Sequence, residues 1–130
     1  MNYYKIHIND SEVVNCYLEG SFYQVDHRFL AAIAHEVNEG PYAKLTVYLD
    51  IDLKDIIKIE PGFTFLNTVE YMPWMEQFVI ENKLATPVKY NNKTIICQSG
   101  FNQYPLYKFD IDKVFDNDSE LKNLYLSNFK

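Results

Sequence analysis

Apolar and polar residues alternate along much of this chain with a period of two, a pattern that predicts strands. Tyr4, Ile6 and Ile8 fall on one side of an expected strand over residues 3–8. The turn cluster Asn9-Asp10-Ser11 separates it from a second strand over 12–18, in which Val14, Cys16 and Leu18 oppose Val13, Asn15 and Tyr17. Glu19-Gly20-Ser21 breaks that strand, and residues 22–25 are expected to resume pairing. The central feature is a hairpin over residues 29–49, whose arms, 29–37 and 42–49, are joined by Asn38-Glu39-Gly40-Pro41. The first arm contains good helix formers. Its length of about two helical turns, and the reversal that follows it, favour a strand instead. As a strand it places Leu30, Ala32 and Ala34 on one face, and such small side chains imply a bulky cover above them.

Residues 50–60 set Asp50, Asp52, Asp55 and Glu60 among Ile51, Leu53, Ile56 and Ile57, as a short helix or an irregular edge segment. Pro61-Gly62 ends this stretch, and residues 63–66 read as a short apolar strand or approach segment. The period then changes. Trp74 with Phe78 and Met75 with Val79 stand four residues apart, with Glu76 and Glu81 outside the stripe. This predicts a helix over 73–84, with Pro73 in its first turn, as the cover for the alanine face. Residues 88–90 and 93–97 read as a second hairpin about Asn91-Asn92, a pair suited to positive φ. Residues 99–109 read as one last extended segment, and Pro105, lacking an amide proton, marks an edge or a break in it. The cluster 116–119 caps a short amphipathic helix running to residue 126. The expected fold is α+β: a mostly antiparallel β-sheet built on hairpins, one main helix packed on a face, and a short C-terminal helix. It is read as a single domain over 1–130, with its core in 1–110 and an extension over 111–130.

Composition agrees with that reading and removes several functions. Eleven Tyr and nine Phe against one Trp favour pleated, half-buried surfaces. No run approaches the roughly 18 apolar residues of a membrane span, and the N-terminus lacks the basic start and apolar stretch of a signal peptide. No membrane association and a cytoplasmic location are expected. Cys16 and Cys97 are too far apart for a zinc motif and too few for a disulfide scaffold, so reduced thiols are expected. His7, His27 and His35 show no metal-ligand spacing with Cys, Asp or Glu. Neither a nucleophile elbow nor a glycine-rich phosphate loop is present. The expectation is therefore a non-enzyme without metal or cofactor.

Charge is unevenly placed. The formal net charge is −6, which disfavours general nucleic-acid binding. Between residues 82 and 109, however, there are four lysines and no acid, which leaves −10 for the rest of the chain. Two candidate binding regions follow. Asp50, Asp52 and Asp55 form an acidic segment suited to a basic protein partner. Tyr90, Lys93, Phe101, Tyr104 and Tyr107 form a basic aromatic segment over 88–108, suited to stacking on single-stranded nucleic acid or to anchoring a peptide. Packing at the edge of a small sheet is the commoner explanation of the same aromatics.

The order of segments also carries a resemblance. Glu39-Gly40-Pro41-Tyr42-Ala43-Lys44-Leu45-Thr46-Val47-Tyr48-Leu49 is followed by Phe65-Leu66-Asn67-Thr68, then by Glu81-Asn82-Lys83-Leu84-Ala85, then by residues 99–109. Over residues 28–109 this resembles a family of small bacterial proteins of plasmids, conjugative elements and phages, catalogued as a domain of unknown function. The chain departs from that pattern at Tyr48, where Asn is expected, at Asn67, where Asp is expected, and at Lys83, where Gly is expected. The resemblance implies an accessory protein of a mobile element and brings no catalytic residue. The function expected from sequence is a non-enzymatic interaction protein, at its most specific an inhibitor of a host nuclease or DNA-binding complex. The alternative is a binder of single-stranded nucleic acid or peptide through residues 88–108.

Overall fold

The computed structural model describes residues 1–130. In chain order its elements are β1 (Tyr4–His7), β2 (Val13–Phe22), β3 (Leu30–Glu36), β4 (Gly40–Lys44), β5 (Thr46–Val47), β6 (Phe63–Leu66), α1 (Trp74–Glu81), β7 (Ala85–Pro87), β8 (Lys89–Tyr90), β9 (Lys93–Thr94), β10 (Ile96–Ser99), β11 (Asn102–Phe109), α2 (Ile111–Val114) and α3 (Ser119–Ser127). The class is α+β, with antiparallel sheets built from hairpins. No helix is long and apolar enough to cross a membrane.

Strands β1-β2-β3-β4 form a four-stranded meander. The ambiguous segment before the reversal is strand β3, paired on one side with β2 and on the other with β4. Two ladders of hydrogen bonds override the helix preference of its alanines. Asn38 at φ 71° and Gly40 at φ 99° make the reversal, and a bulge between Ala34 and His35 absorbs the register shift. The second arm differs from expectation, because it is divided between two sheets. Leu45 gives its N–H to the Ala32 carbonyl (2.9 Å) and accepts from Asn67 N–H (2.9 Å), so it joins the meander to a second sheet, ordered β10-β11-β6-β5. The sequence over 12–25 also differs: β2 runs unbroken through Gly20 to Phe22, because Gly20 lies flat in the ladder opposite Ala32.

The alanine face is covered from two directions. Leu30, Ala32 and Ala34 share one apolar core with Trp74, Met75, Phe78 and Val79 of α1, as expected. At the Gly20–Ala32 pair, however, the cover is the C-terminal segment. A Cβ built on Gly20 would stand 2.5 Å from Val114 Cγ1 and 2.8 Å from Phe115. Val114, Phe115 and Tyr125 belong to the same core, so the segment expected as an extension is an integral layer, with an additional short helix, α2. Asp110 caps α2 through the Asp112 amide (3.1 Å), and Asp118 caps α3 through the Leu121 amide (3.0 Å).

Helix α1 is shorter than its apolar pattern, ending at Glu81. Leu84 N–H bonds to the Val79 carbonyl (2.8 Å) and Lys83 N–H to that of Ile80 (3.1 Å), with Lys83 at φ 54°. This is a Schellman stop, and its left-handed position normally belongs to glycine. Lys83 sits there at a conformational cost, with its side chain exposed. Lys83→Gly is therefore expected to raise stability by roughly 0.5–1 kcal/mol, read as an upward shift in the denaturant midpoint at unchanged slope. A fall in the midpoint would contradict this reading of the helix end.

At β6 the second sheet is buried on both faces. All four residues of β6 are buried. Leu66 enters the core shared with α1, while Phe63 and Phe65 enter a second apolar cluster with Phe29, Leu49, Leu53, Ile59, Val88, Ile95 and Leu106. Residues 48–60, irregular apart from one turn, roof that second cluster. Their alternation has a plain cause: Leu49, Leu53 and Ile59 point down into it, and Asp50, Asp52 and Asp55 point out.

Candidate functional site

A concavity lies against this roof. It is a cleft of about 610 Å³ lined by Asp26, Arg28, Phe29, Tyr48, Ile51, Leu53, Ile57, Ile59 and the charged residues Asp50, Asp52, Lys54 and Lys58. One wall is built by the turn after β2. Asp26 accepts from the Arg28 backbone amide (3.0 Å) and grips its guanidinium with both oxygens, Nε at 3.0 Å and Nη2 at 2.8 Å. This two-point pairing fixes the plane of Arg28. The guanidinium holds the Asp26 carboxyl below its usual range, so it stays ionised. The second wall is aromatic. Phe29 meets Tyr48 edge-on at 6.0 Å and stacks on Phe65 at 6.1 Å, and Tyr48 leans on Tyr23 at 5.4 Å. Burial, reinforced by Asp50 and Asp26, pushes the Tyr48 hydroxyl above its usual value, so it remains a neutral donor.

The roof supplies the remaining charges. Asp52 accepts from the Lys54 amide (3.0 Å), which holds its carboxyl below the usual range, and its other oxygen lies 3.5 Å from Lys54 Nζ. Three carboxylates and three cations thus surround the cleft. Asp26 is committed to Arg28 and Asp52 to Lys54, which leaves Asp50 and Lys58 without an ion-pair partner. The lining holds no Ser, Cys or His. No group of three or more His, Cys, Asp or Glu side chains is placed to hold a metal ion. What the cleft can do chemically is place an apolar group against the partly exposed Tyr48, Ile51 and Ile57 while Asp50 and Lys58 meet charges beside it.

Of the acidic segment read from sequence, Asp50 and Asp52 reach the cleft, and Asp55 lies on the exposed turn outside its lining. Sequence reading missed Asp26, Arg28, Tyr48 and Lys58. The signal for the first pair is present: an Asp two residues before an Arg, between the second strand and the central hairpin, is the spacing of an Asx turn with a side-chain ion pair.

The basic aromatic segment is divided by a junction of three chain stretches. Val88 N–H bonds to the Leu106 carbonyl (2.9 Å), Ile95 N–H to that of Val88 (2.9 Å) and Leu106 N–H to that of Ile95 (2.8 Å), a closed cycle. Two arms leave it. In the β8–β9 arm Tyr90 pairs with Lys93 across a turn with Asn91 at φ 53° and Asn92 at φ 64°, the type I′ geometry expected for the Asn pair. The other arm corrects the sequence reading of one extended segment over 99–109. It is a hairpin, β10 against the first half of β11, turning at Gly100 (φ 62°) and Phe101. Pro105 is where β11 changes from β10 to β6 and β7 as partners. The turns therefore stand at opposite ends of the 93–99 stretch. Tyr90 and Lys93 are exposed on one arm, Phe101 is fully exposed on the other, and Tyr104 is half-buried against the second cluster. Tyr107 is 1% exposed and donates to Glu76 Oε2 (2.9 Å), so it presents no ring to a ligand.

Compared with family models, curated proteins and solved structures, the chain matches none.

Proposed function

We propose that this chain is a non-enzymatic binding module that holds a segment of a partner protein in the cleft between the Asp26–Arg28 turn and the 48–60 roof. The observation that carries this is the pairing pattern of the cleft. Its aromatic wall is rigid and packed, its structural charges are already satisfied by neighbours, and Asp50 and Lys58 are left free at the rim. Aromatic anchors beside fixed ion pairs are the composition of protein-binding surfaces. The net charge of −6 favours a basic partner. As an accessory protein of a mobile element, which its resemblance implies, it would find that partner in a host nuclease or DNA-binding complex, and occupancy of the cleft would inhibit it.

Affinity capture from host lysate, followed by inhibition assays on a panel of restriction and RNA-guided nucleases, tests the reading. Asp50 is exposed and has no ion-pair partner, so Asp50→Arg is expected to leave the fold intact. It should weaken capture by roughly tenfold or more and flatten its dependence on salt. Capture unchanged in this variant would remove the cleft from the mechanism, and no inhibition across the panel would remove the nuclease.

A second reading, binding of single-stranded nucleic acid or peptide over 88–108, is favoured by the exposure of Tyr90, Lys93 and Phe101 in an acid-free stretch. It predicts oligonucleotide binding at low salt that is lost in Lys93→Ala or Tyr104→Ala. The separation of the arms counts against a continuous stacking platform.

A further inference from the structure

Every sheet ends in edges, and natural proteins guard them with charge, proline, brevity or cover. Most edges of this chain are guarded. Strand β1 carries Lys5 and His7, β4 carries Pro41 and Lys44, β8 and β9 carry Lys89 and Lys93, and β5 is two residues long. Strand β7 ends in Pro87, and its Ala85 is only 6% exposed. Strand β10 has none of these guards. Its sequence is Ile96-Cys97-Gln98-Ser99, it is the terminal strand of its sheet, and Ile96 is 57% exposed. From Thr94 to Tyr107 the chain carries no charge at all.

The direction of the free backbone groups follows from the ladder. Leu106 N–H bonds to the Ile95 carbonyl, and β10 pairs with β11 in the register Ile96↔Pro105, Cys97↔Tyr104, Gln98↔Gln103 and Ser99↔Asn102. Alternation then turns Cys97 and Ser99 toward β11, while Ile96 and Gln98 direct their N–H and C=O outward. Both of these residues are exposed, so the groups are open to a further strand.

We infer that β10 pairs antiparallel with β10 of a second copy, in the register that sets Cys97 against Cys97, to form a symmetric dimer with a continuous sheet. Two arguments select a second copy over another strand. A two-fold axis places each edge residue against its own kind or its mirror position, so charge on the edge would meet like charge, and this is the edge without it. With −10 carried outside the 82–109 region, two copies repel over most other approaches. The register follows from the outward pair. Only a centre at Cys97 lets Ile96 and Gln98 of one copy meet Gln98 and Ile96 of the other, in two fully hydrogen-bonded pairs. Cys97 then occupies a non-hydrogen-bonded site, where facing Cα atoms stand about 4.5 Å apart. That spacing lies within the roughly 4.4–6.8 Å that a disulfide spans. So short an interface gives a reversible dimer rather than an obligate one.

Sedimentation of the full chain across micromolar to millimolar concentrations is the first test, and a reversible monomer–dimer equilibrium is expected. Ile96→Lys combined with Gln98→Lys places like charges across the axis on side chains that point away from the core. It is expected to raise the dimer dissociation constant by roughly tenfold or more with unchanged thermal unfolding. The register is read by cross-linking. Diamide, which takes two electrons from a pair of thiols, or a short bismaleimide should join two chains through Cys97, and Cys97→Ser should abolish the product. Cys16 is fully buried and does not compete. A monomer at every concentration overturns the pairing, as does a dimer that persists in the double-lysine variant. A dimer that neither reagent links through Cys97 overturns the register.

Discussion

Gly62→Ala is expected to cost about 3–5 kcal/mol, a large share of the total stability of a domain this size, and to shift the unfolding midpoint accordingly. Gly62 sits at φ 97°, and a Cβ there would stand 2.4 Å from the Phe109 carbonyl oxygen and 3.2 Å from its amide nitrogen. Both neighbours are backbone, so neither can swing aside. Phe109 N–H is bonded to the Gly62 carbonyl (2.9 Å), and relief of the clash would break that bond. Gly40 makes the informative control. Its φ of 99° is equally unusual, but nothing lies within 4 Å of its Cβ position. Gly40→Ala therefore isolates the backbone term, and equal losses at the two sites would show that the Phe109 contact contributes nothing. Chemical denaturation of both variants decides this.

Tyr125→Phe is expected to cost about 2–4 kcal/mol although it removes a single oxygen. The Tyr125 hydroxyl donates to the Arg28 carbonyl (2.8 Å) and accepts from the Gly62 amide (2.9 Å), from a ring that is fully buried. Phenylalanine fills the same volume and leaves both backbone groups without a partner. The same hydroxyl gives a signature in pH. Burial, the largest influence, pushes its pKa from 10.0 up to about 12, although the Gly62 amide works in the opposite direction. Because the folded state holds this proton more tightly, its contribution is complete below the unfolded pKa and is lost as pH rises from there through about 12. Tyr125→Phe should flatten that alkaline decline without abolishing it, since burial raises Tyr107 and Tyr23 in the same direction. A variant as stable as the parent, with an unchanged alkaline limb, would show that the hydroxyl ties nothing together.

Local chemistry was the legible part of the fold. Asn91-Asn92 is a type I′ turn because both residues tolerate positive φ, and any chain with that pair between β-formers would turn there. The stripe of Trp74, Met75, Phe78 and Val79 made its helix for equally local reasons. What could not be read depended on partners distant in sequence. Whether Leu45 continues a strand or passes between sheets is decided by Ala32 on one side and Asn67 on the other. Tyr107 looks like Tyr90 in sequence, and only the position of Glu76 and the burial of β11 where it pairs with β6 distinguish them. Ser99-Gly100 is a turn signal set in a run of β-formers, and the extended pattern on both sides of it outweighs a single glycine in sequence. For the cleft, the acidic roof was visible as a charge pattern, whereas its opposite wall is assembled from residues 26–29, and no period or motif connects the two.

The hydrogen-bond cycle at Val88, Ile95 and Leu106 has a practical consequence for remodelling this protein. A ladder normally transmits a change in length along its whole course, because inserting one residue turns every later side chain to the other face. Here the ladders of both arms terminate on one buried triangle, so each arm is anchored at its base, and beyond it only Cys97 and Tyr104 of the Gly100 arm still pack on the second cluster. Insertions of two residues per strand in the Tyr90–Lys93 arm or in the Gly100 arm keep the facing order and never reach the core. The triangle is thus a graft point, at which foreign loops or longer hairpins can be exchanged while the two cores and the cleft keep their geometry.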